Sequence, residues 1–137
     1  MPTTRELSIR MEDRPGTLGK ICRFLADREV NILAFQAVPL PDKKTLVRLV
    51  VDNPAAAKKA FDSEHLDCTE AEVVQVRLAN RPGALAQAAS RLGEANININ
   101  YGYCGVEGNK DTPVLIFGVE DTGKATKILA QTAAATA

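Results

Sequence analysis

Two short turns carry the residues whose types and order suit ligand binding. Residues 13–18 read Asp-Arg-Pro-Gly-Thr-Leu, and residues 80–85 read Asn-Arg-Pro-Gly-Ala-Leu. Proline has no amide hydrogen and a fixed φ, so it suits the first turn of a helix, and glycine lets another group approach the backbone closely. The first amides of a helix lie at the positive end of its dipole, where a carboxylate binds readily. We therefore expect each turn to begin a helix and to offer an anion site.

The residue before each Arg-Pro-Gly completes a site for a zwitterion. Asp13 or Asn80 can accept a hydrogen bond from an ammonium group through a side-chain oxygen. The carboxylate of a free amino acid, one carbon away, would then meet the helix amides. Because the charge of Asp13 repels a carboxylate, Asn80 is expected to serve the main site. The alternative is a purely structural turn, in which Asp13 and Asn80 only cap the helix.

Both turns belong to an internal repeat with an offset of 67 residues. Seven of the twenty positions in residues 13–32 are identical to those in residues 80–99. Before each turn, apolar and polar residues alternate as in a half-buried strand, and after it apolar residues recur at helical spacing. The pattern predicts strand, helix, strand, strand and helix in each copy, with a further strand in the first.

Local signals refine this prediction. Residues 67–79 contain neither glycine nor proline, which indicates one extended stretch that ends the first copy and begins the second. In the second copy, residues 98–104 favour a strand and residues 105–111 a turn. The dipeptide Asn53-Pro54 predicts a capped helix start. The tail, residues 131–137, shows no alternation, so we expect a helix end, a disordered terminus and no last strand in this copy.

Composition excludes several classes of protein. A formal net charge of zero over 137 residues argues against a phosphate-backbone binder. An RNA-binding sheet needs aromatic residues on its central strands, but aromatics are only 4% of the chain. Three widely spaced cysteines and one histidine indicate a reducing compartment and form neither a disulfide framework nor a metal site. We expect a cytoplasmic protein with no cofactor, metal, nucleic-acid partner or membrane span.

Catalytic motifs are missing from the sequence. It contains no GxSxG, and no adjacent Cys and His suggest a nucleophile with its base. A small acyl-phosphate hydrolase would need an arginine-lined phosphate loop, for which Arg14 is a single candidate. Cys22 and Cys68 are expected to be structural. Cys104, near the end of a strand, is expected to be an inert thiol, and the alternative is a place at the domain interface. We therefore expect no enzyme activity.

The sequence resembles the ACT domain family in three features: the Arg-Pro-Gly turn, a leucine two residues later with the helix that follows, and the strand starts Asn31-Ile32 and Asn98-Ile99. These βαββαβ modules bind amino acids and regulate metabolic enzymes. The resemblance covers residues 5–66 and 73–130, and the chain looks like the free-standing bacterial tandem-ACT proteins. It implies an α+β fold of two ferredoxin-like βαββαβ units packed side by side, the second lacking its last strand. The units are placed at residues 1–70 and 71–137, and such small units are expected to form a homodimer.

The same resemblance implies a function. Family members place effectors between paired ACT domains, against the strand–helix turn and the second strand. We expect a small regulatory protein that binds a free amino acid and modulates a metabolic enzyme or transporter in trans. The residues expected to bind it are Asn80, Arg81, Pro82, Gly83, Ala84 and Leu85, with Asp13, Pro15, Gly16, Thr17 and Leu18 in the first copy.

Two points stay open at the level of sequence. Asn80 before Arg-Pro-Gly is similar to the serine-binding regulatory domain of phosphoglycerate dehydrogenase, but Leu78 stands where that family has a histidine. Serine is therefore not assigned as the ligand. The alternative function is a structural or regulatory subunit of an enzyme complex that binds no small molecule.

Overall fold

The order of strands and helices repeats along the chain. The computed structural model describes residues 3–108 and 112–136, without the side chains of residues 131–136. Its elements are β1 (Thr3–Glu12), α1 (Thr17–Ala26), β2 (Ile32–Pro39), β3 (Lys44–Val51), α2 (Pro54–Ser63), β4 (Cys68–Arg77), α3 (Ala84–Glu94), β5 (Tyr101–Glu107), β6 (Thr112–Gly118) and α4 (Thr122–Thr136). In the described part of the chain, no helix is long and apolar enough to cross a membrane. The chain divides into two compact units: one is Arg5–Ala71, and the other joins residues 3–4 to the described residues from Glu72 onward, so the boundaries fall within β1 and β4.

The first unit, Arg5–Ala71, packs two helices on an antiparallel sheet. Strand β3 pairs with β1 on one side and β2 on the other, and Leu49 lies opposite both Leu7 and Phe35. Alternate residues of β1 and β3 point to the helices and are buried with Ile21, Leu25 and Phe61. Burying each large apolar side chain contributes roughly 1.5–3 kcal/mol, so this cluster is the main support of the unit.

The second unit, from Glu72 onward, repeats this arrangement with smaller side chains. Strand β6 pairs antiparallel with β4 and β5, and Leu115 lies opposite both Val76 and Cys104. Ala88 occupies the position in α3 that Ile21 occupies in α1, and both are buried in their cores. The contact between helices α3 and α4 is more extensive than that between α1 and α2.

The predicted capped helix start at Asn53-Pro54 is confirmed. Pro54 is the first residue of α2, and the Asn53 side chain accepts a hydrogen bond from the Ala56 amide at 3.1 Å. The Asp121 side chain does the same for the Lys124 amide at 2.9 Å. The extended stretch between the copies is also present, as the continuous strand β4.

Several boundaries differ from expectation. Pro15 and Pro82 do not lie in the first turn of a helix, because α1 and α3 begin after Gly16 and Gly83. Both glycines have φ of 90°, a left-handed conformation that a right-handed helix cannot include. Each proline therefore lies one residue before the N-cap.

The expected turn and tail of the second copy are partly regular structure. Strand β5 runs to Glu107, because Val106 and Glu107 pair with Pro113 and Thr112 in β6. Residues 109–111, the rest of that expected turn, lie outside the described residues. Helix α4 continues to Thr136, so the expected disordered terminus is wrong for residues 131–136, and alanine's high helix propensity favours this extension. Within the described residues no strand follows α4.

Candidate functional site

The two Arg-Pro-Gly turns have nearly the same backbone. Gly16 and Gly83 share φ of 90°, with ψ of −16° and −12°. Each is the N-cap of its helix, and neither helix has a side-chain cap. The interpretation of Asp13 and Asn80 as helix caps is therefore wrong, because the left-handed glycine starts the helix three residues later.

The helix amides are only partly available to an anion. The Thr17 amide donates to the Arg14 carbonyl at 3.4 Å, and the Ala84 amide donates to the Arg81 carbonyl at 3.3 Å. These two amides, which were expected to bind a carboxylate, are thus engaged. The next amides, of Leu18 and Leu85, have no acceptor within their helices and remain at the positive helix ends.

A groove of about 370 Å³ lies at the second turn. Asn80 and Arg81 line it from the turn, and Ala84 and Leu85 line it from α3. Among the described residues that line the groove, Arg81 carries a charge and the others are uncharged. The other lining residues are Leu78, Ala79, Cys104, Pro113, Val114 and Leu115. The groove therefore combines an apolar wall with one cation and one neutral amide.

A larger cleft of about 670 Å³ lies at the first turn. Pro15, Gly16 and Thr17 line it, but Asp13 and Leu18 do not. Asp13 donates its amide to the Lys43 carbonyl at 3.2 Å, and Leu18 packs against the core of the first unit. In the second copy, Pro82 and Gly83 likewise do not line the groove. The structure thus brings four of the six expected residues together in the second copy, including Asn80.

Charged side chains surround the first cleft. Lys44 forms an ion pair with Glu12, and its hydrogen bond and charge lower the pKa of that carboxyl. Arg10 pairs with Asp42 at 3.7 Å. In the described part of the chain, no group of three or more His, Cys, Asp or Glu residues could hold a metal ion. This cleft therefore presents organic cations beside the carboxylates of Glu12 and Glu64.

The strand side of the second groove adds residues that the expected site did not name. Cys104 in β5 and Leu115 in β6 face each other across the ladder, and both line the groove with Asn80. The position of Cys104 on the second strand of its copy is the signal that points to it. Burial raises the pKa of the Cys22 and Cys68 thiols, whereas Cys104 is exposed. Cys104 is thus the accessible thiol among the three.

Comparisons with known proteins agree with this architecture. A crystal structure of a protein from Bacteroides thetaiotaomicron matches with a TM-score of 0.82 and 25% identity, over 95% of this chain and 88% of that one. The regulatory subunit of aspartate kinase from Thermus thermophilus matches with a TM-score of 0.64 and 17% identity, over 95% of this chain and 91% of that one. Its counterpart from Thermus flavus matches with a TM-score of 0.58 and 17% identity, over 96% of each chain. No curated protein matches the chain. A family model of the ACT domain pair matches residues 2–134, and the chain therefore belongs to the ACT domain pair family.

Proposed function

We propose that this protein binds a free amino acid at the second turn and thereby regulates a metabolic enzyme or transporter in trans. The observation that carries the proposal is the groove beside α3, which Asn80 lines while its counterpart Asp13 lies outside the first cleft. A volume of about 370 Å³ lies at the small end of the range for ligand pockets, which suits a free amino acid.

The groove offers a partner for each part of an amino acid. The Asn80 side-chain oxygen would accept from the ammonium group. The carboxylate would meet the Leu85 amide at the positive end of α3 and the cation of Arg81. Leu78 and Leu115 would contact the side chain of the ligand. This assignment replaces the Ala84 amide, which is already hydrogen bonded, with that of Leu85.

Calorimetry on two matched variants tests the site. Asn80→Ala removes the acceptor for the ammonium group, and we expect amino-acid affinity to fall roughly ten- to hundredfold. Asp13→Ala changes the equivalent residue outside the cleft, and we expect less than a twofold change. The reverse order of effects would assign the site to the first copy. An unchanged circular dichroism spectrum for both variants would exclude misfolding as the cause.

Cys104 supplies a second readout that needs no substitution. It is exposed and lies in the groove, so a bound amino acid should slow its alkylation. Cys22 and Cys68 are half-buried, and mass spectrometry can follow all three thiols in one sample. The twenty common amino acids can be screened in this way and by thermal shift. If no amino acid binds at millimolar concentration, the proposal fails, and the alternative function, a subunit without a small-molecule ligand, is favoured.

The similarity to aspartate kinase regulatory subunits supports a metabolic enzyme as the partner class. We further propose that the chain is cytoplasmic and forms a homodimer. Light scattering should then give about twice the chain mass of 14.7 kDa at micromolar concentration. A mass of one chain would contradict the dimer without affecting the amino-acid site.

A further inference from the structure

The cleft of the first unit differs in kind from the groove of the second. Its walls are α1, which contributes Lys20 and Phe24, and the segment after α2, which contributes Glu64 and Leu66. The cleft therefore opens between α1 and the segment after α2, beside the end of β1. At about 670 Å³ it has room for a molecule considerably larger than a small amino acid.

Two of the cations that face this cleft form no ion pair in the described part of the chain. Within the described residues, no carboxylate lies at ion-pair distance from the side chain of Arg14 or Lys20. Both side chains are exposed at the rim. Lys44, by contrast, is already paired with Glu12. Glu12 also lines the cleft, and Lys44 and, to a smaller extent, Arg14 lower the pKa of its carboxyl. With Lys44 already paired to Glu12, Arg14 and Lys20 leave an excess of positive charge at this rim.

The floor of the same cleft is apolar. Met11 and Ile21 are buried there, and Phe24 and Leu66 are half-buried. Pockets that bind organic molecules combine such a floor with a few polar groups that fix orientation. The Glu64 carboxylate on the far wall disfavours a second negative charge on the ligand.

The repeat provides independent support, because the second copy keeps only part of this set. At an offset of 67, Arg81 matches Arg14, but Gln87 replaces Lys20 and Arg91 replaces Phe24. Ala88 replaces Ile21. The second copy thus lacks the cation at the place of Lys20 and the aromatic side chain at the place of Phe24, so the combination of Arg14, Lys20 and Phe24 is specific to the first unit.

We propose that the cleft between α1 and the segment after α2 binds an organic monocarboxylate with an aromatic or branched apolar body. Its carboxylate pairs with Arg14 and Lys20, and its apolar body lies on Phe24, Ile21 and Leu66. This site is separate from the amino-acid groove beside α3, so the protein would take two chemically different ligands. The inference does not depend on the amino-acid site.

Calorimetry with 3-phenylpropanoate and its uncharged amide tests the proposal on the whole chain. The acid should bind saturably, with an affinity that falls as salt is added, because the rim charges are exposed and screened. The amide should bind roughly tenfold more weakly or not at all. Equal binding of acid and amide, or no binding of the acid at millimolar concentration, would overturn the proposal.

Two double variants with the same change of charge locate the site. Arg14→Gln with Lys20→Gln should weaken binding of the acid roughly tenfold. Arg23→Gln with Lys59→Gln alters exposed cations of the same unit that do not line the cleft, and should leave affinity unchanged. Equal losses in both would indicate nonspecific attraction and contradict the proposal.

A further pair of variants separates this site from the proposed function. Phe24→Ala should weaken 3-phenylpropanoate much more than acetate, because only the former uses the apolar floor. Asn80→Ala should leave 3-phenylpropanoate binding unchanged while it weakens an amino acid. Loss of 3-phenylpropanoate binding in Asn80→Ala would place both ligands in the α3 groove and overturn the second site.

Discussion

The turns at residues 13–18 and 80–85 share a backbone and differ in what they place beside it. The left-handed glycine, the hydrogen bond to the arginine carbonyl and the helix start recur in both. Asn80 lines a compact apolar groove, whereas Asp13 lies outside a wider cleft that is rimmed by cations. A duplicated turn thus fixes where a site can form, and the surrounding side chains decide which ligand it suits.

Exchanging the two polar residues gives the largest expected effect. Asn80→Asp keeps an acceptor for the ligand ammonium but places a negative charge where it repels the ligand carboxylate and competes with it for the cation of Arg81, so amino-acid affinity should fall roughly ten- to hundredfold. Asp13→Asn should create no new amino-acid site, because residue 13 does not line the first cleft. Calorimetry on the two variants checks both outcomes. New binding in Asp13→Asn would remove the distinction between the turns.

The leucines of the two turns should differ in their contribution to stability. Leu18 packs against the first core, so Leu18→Ala should lower the free energy of unfolding by about 2 kcal/mol. Leu85 is 52% exposed, so Leu85→Ala should cost less than about 1 kcal/mol. Urea unfolding measures both values. Similar losses would mean that Leu85 is buried in solution, for example by a second chain.

The glycines, in contrast, should behave alike. Gly16→Ala and Gly83→Ala each force a left-handed conformation on alanine, which costs about 1–2 kcal/mol. No atom lies within 4 Å of a Cβ added at either glycine, so crowding contributes nothing. Urea unfolding should therefore give the same loss for both variants. A difference well above 1 kcal/mol would show that the turns do not share a backbone in solution.

The smallest effect concerns an ion pair in each unit. Lys44 lowers the pKa of Glu12, and Arg77 lowers that of Glu107. A carboxyl whose pKa is lower in the folded chain than in the unfolded chain stabilises the fold at pH values above its ordinary pKa of 4.5. This contribution is lost as the pH falls through the pKa of the folded chain. Glu12→Gln and Glu107→Gln should each slightly reduce the loss of stability between about pH 7 and about pH 3. Urea unfolding of each variant and of the parent chain at both pH values measures this difference. An unchanged pH dependence of the free energy of unfolding would contradict the prediction.

The sequence predicted the repeat and the elements because these depend on local periodicity and on cap residues such as Asn53. It misplaced Pro15 and Pro82, because proline suits both the first helical position and the position before a glycine cap. It extended the turn of the second copy too far, because only pairing with β6 holds Val106 in a strand.

The site was predictable only in part. Asn80 could be singled out because the sequence alone shows that it is neutral where the other turn has the acidic Asp13. The volumes of the groove and the cleft depend on which side chains meet in space. Cys104, for example, comes near Asn80 through the pairing of β5 with β6 and of β6 with β4.

The left-handed N-cap glycines also have a stereochemical consequence. A φ of 90° with ψ near −15° is unfavourable for an L-residue but is the mirror image of a conformation that L-residues adopt in turns. A D-alanine introduced by chemical ligation at Gly16 or Gly83 would therefore match the native backbone, and it would restrict the unfolded chain more than glycine does. Handedness at these two exposed positions, rather than side-chain size, is what the fold selects.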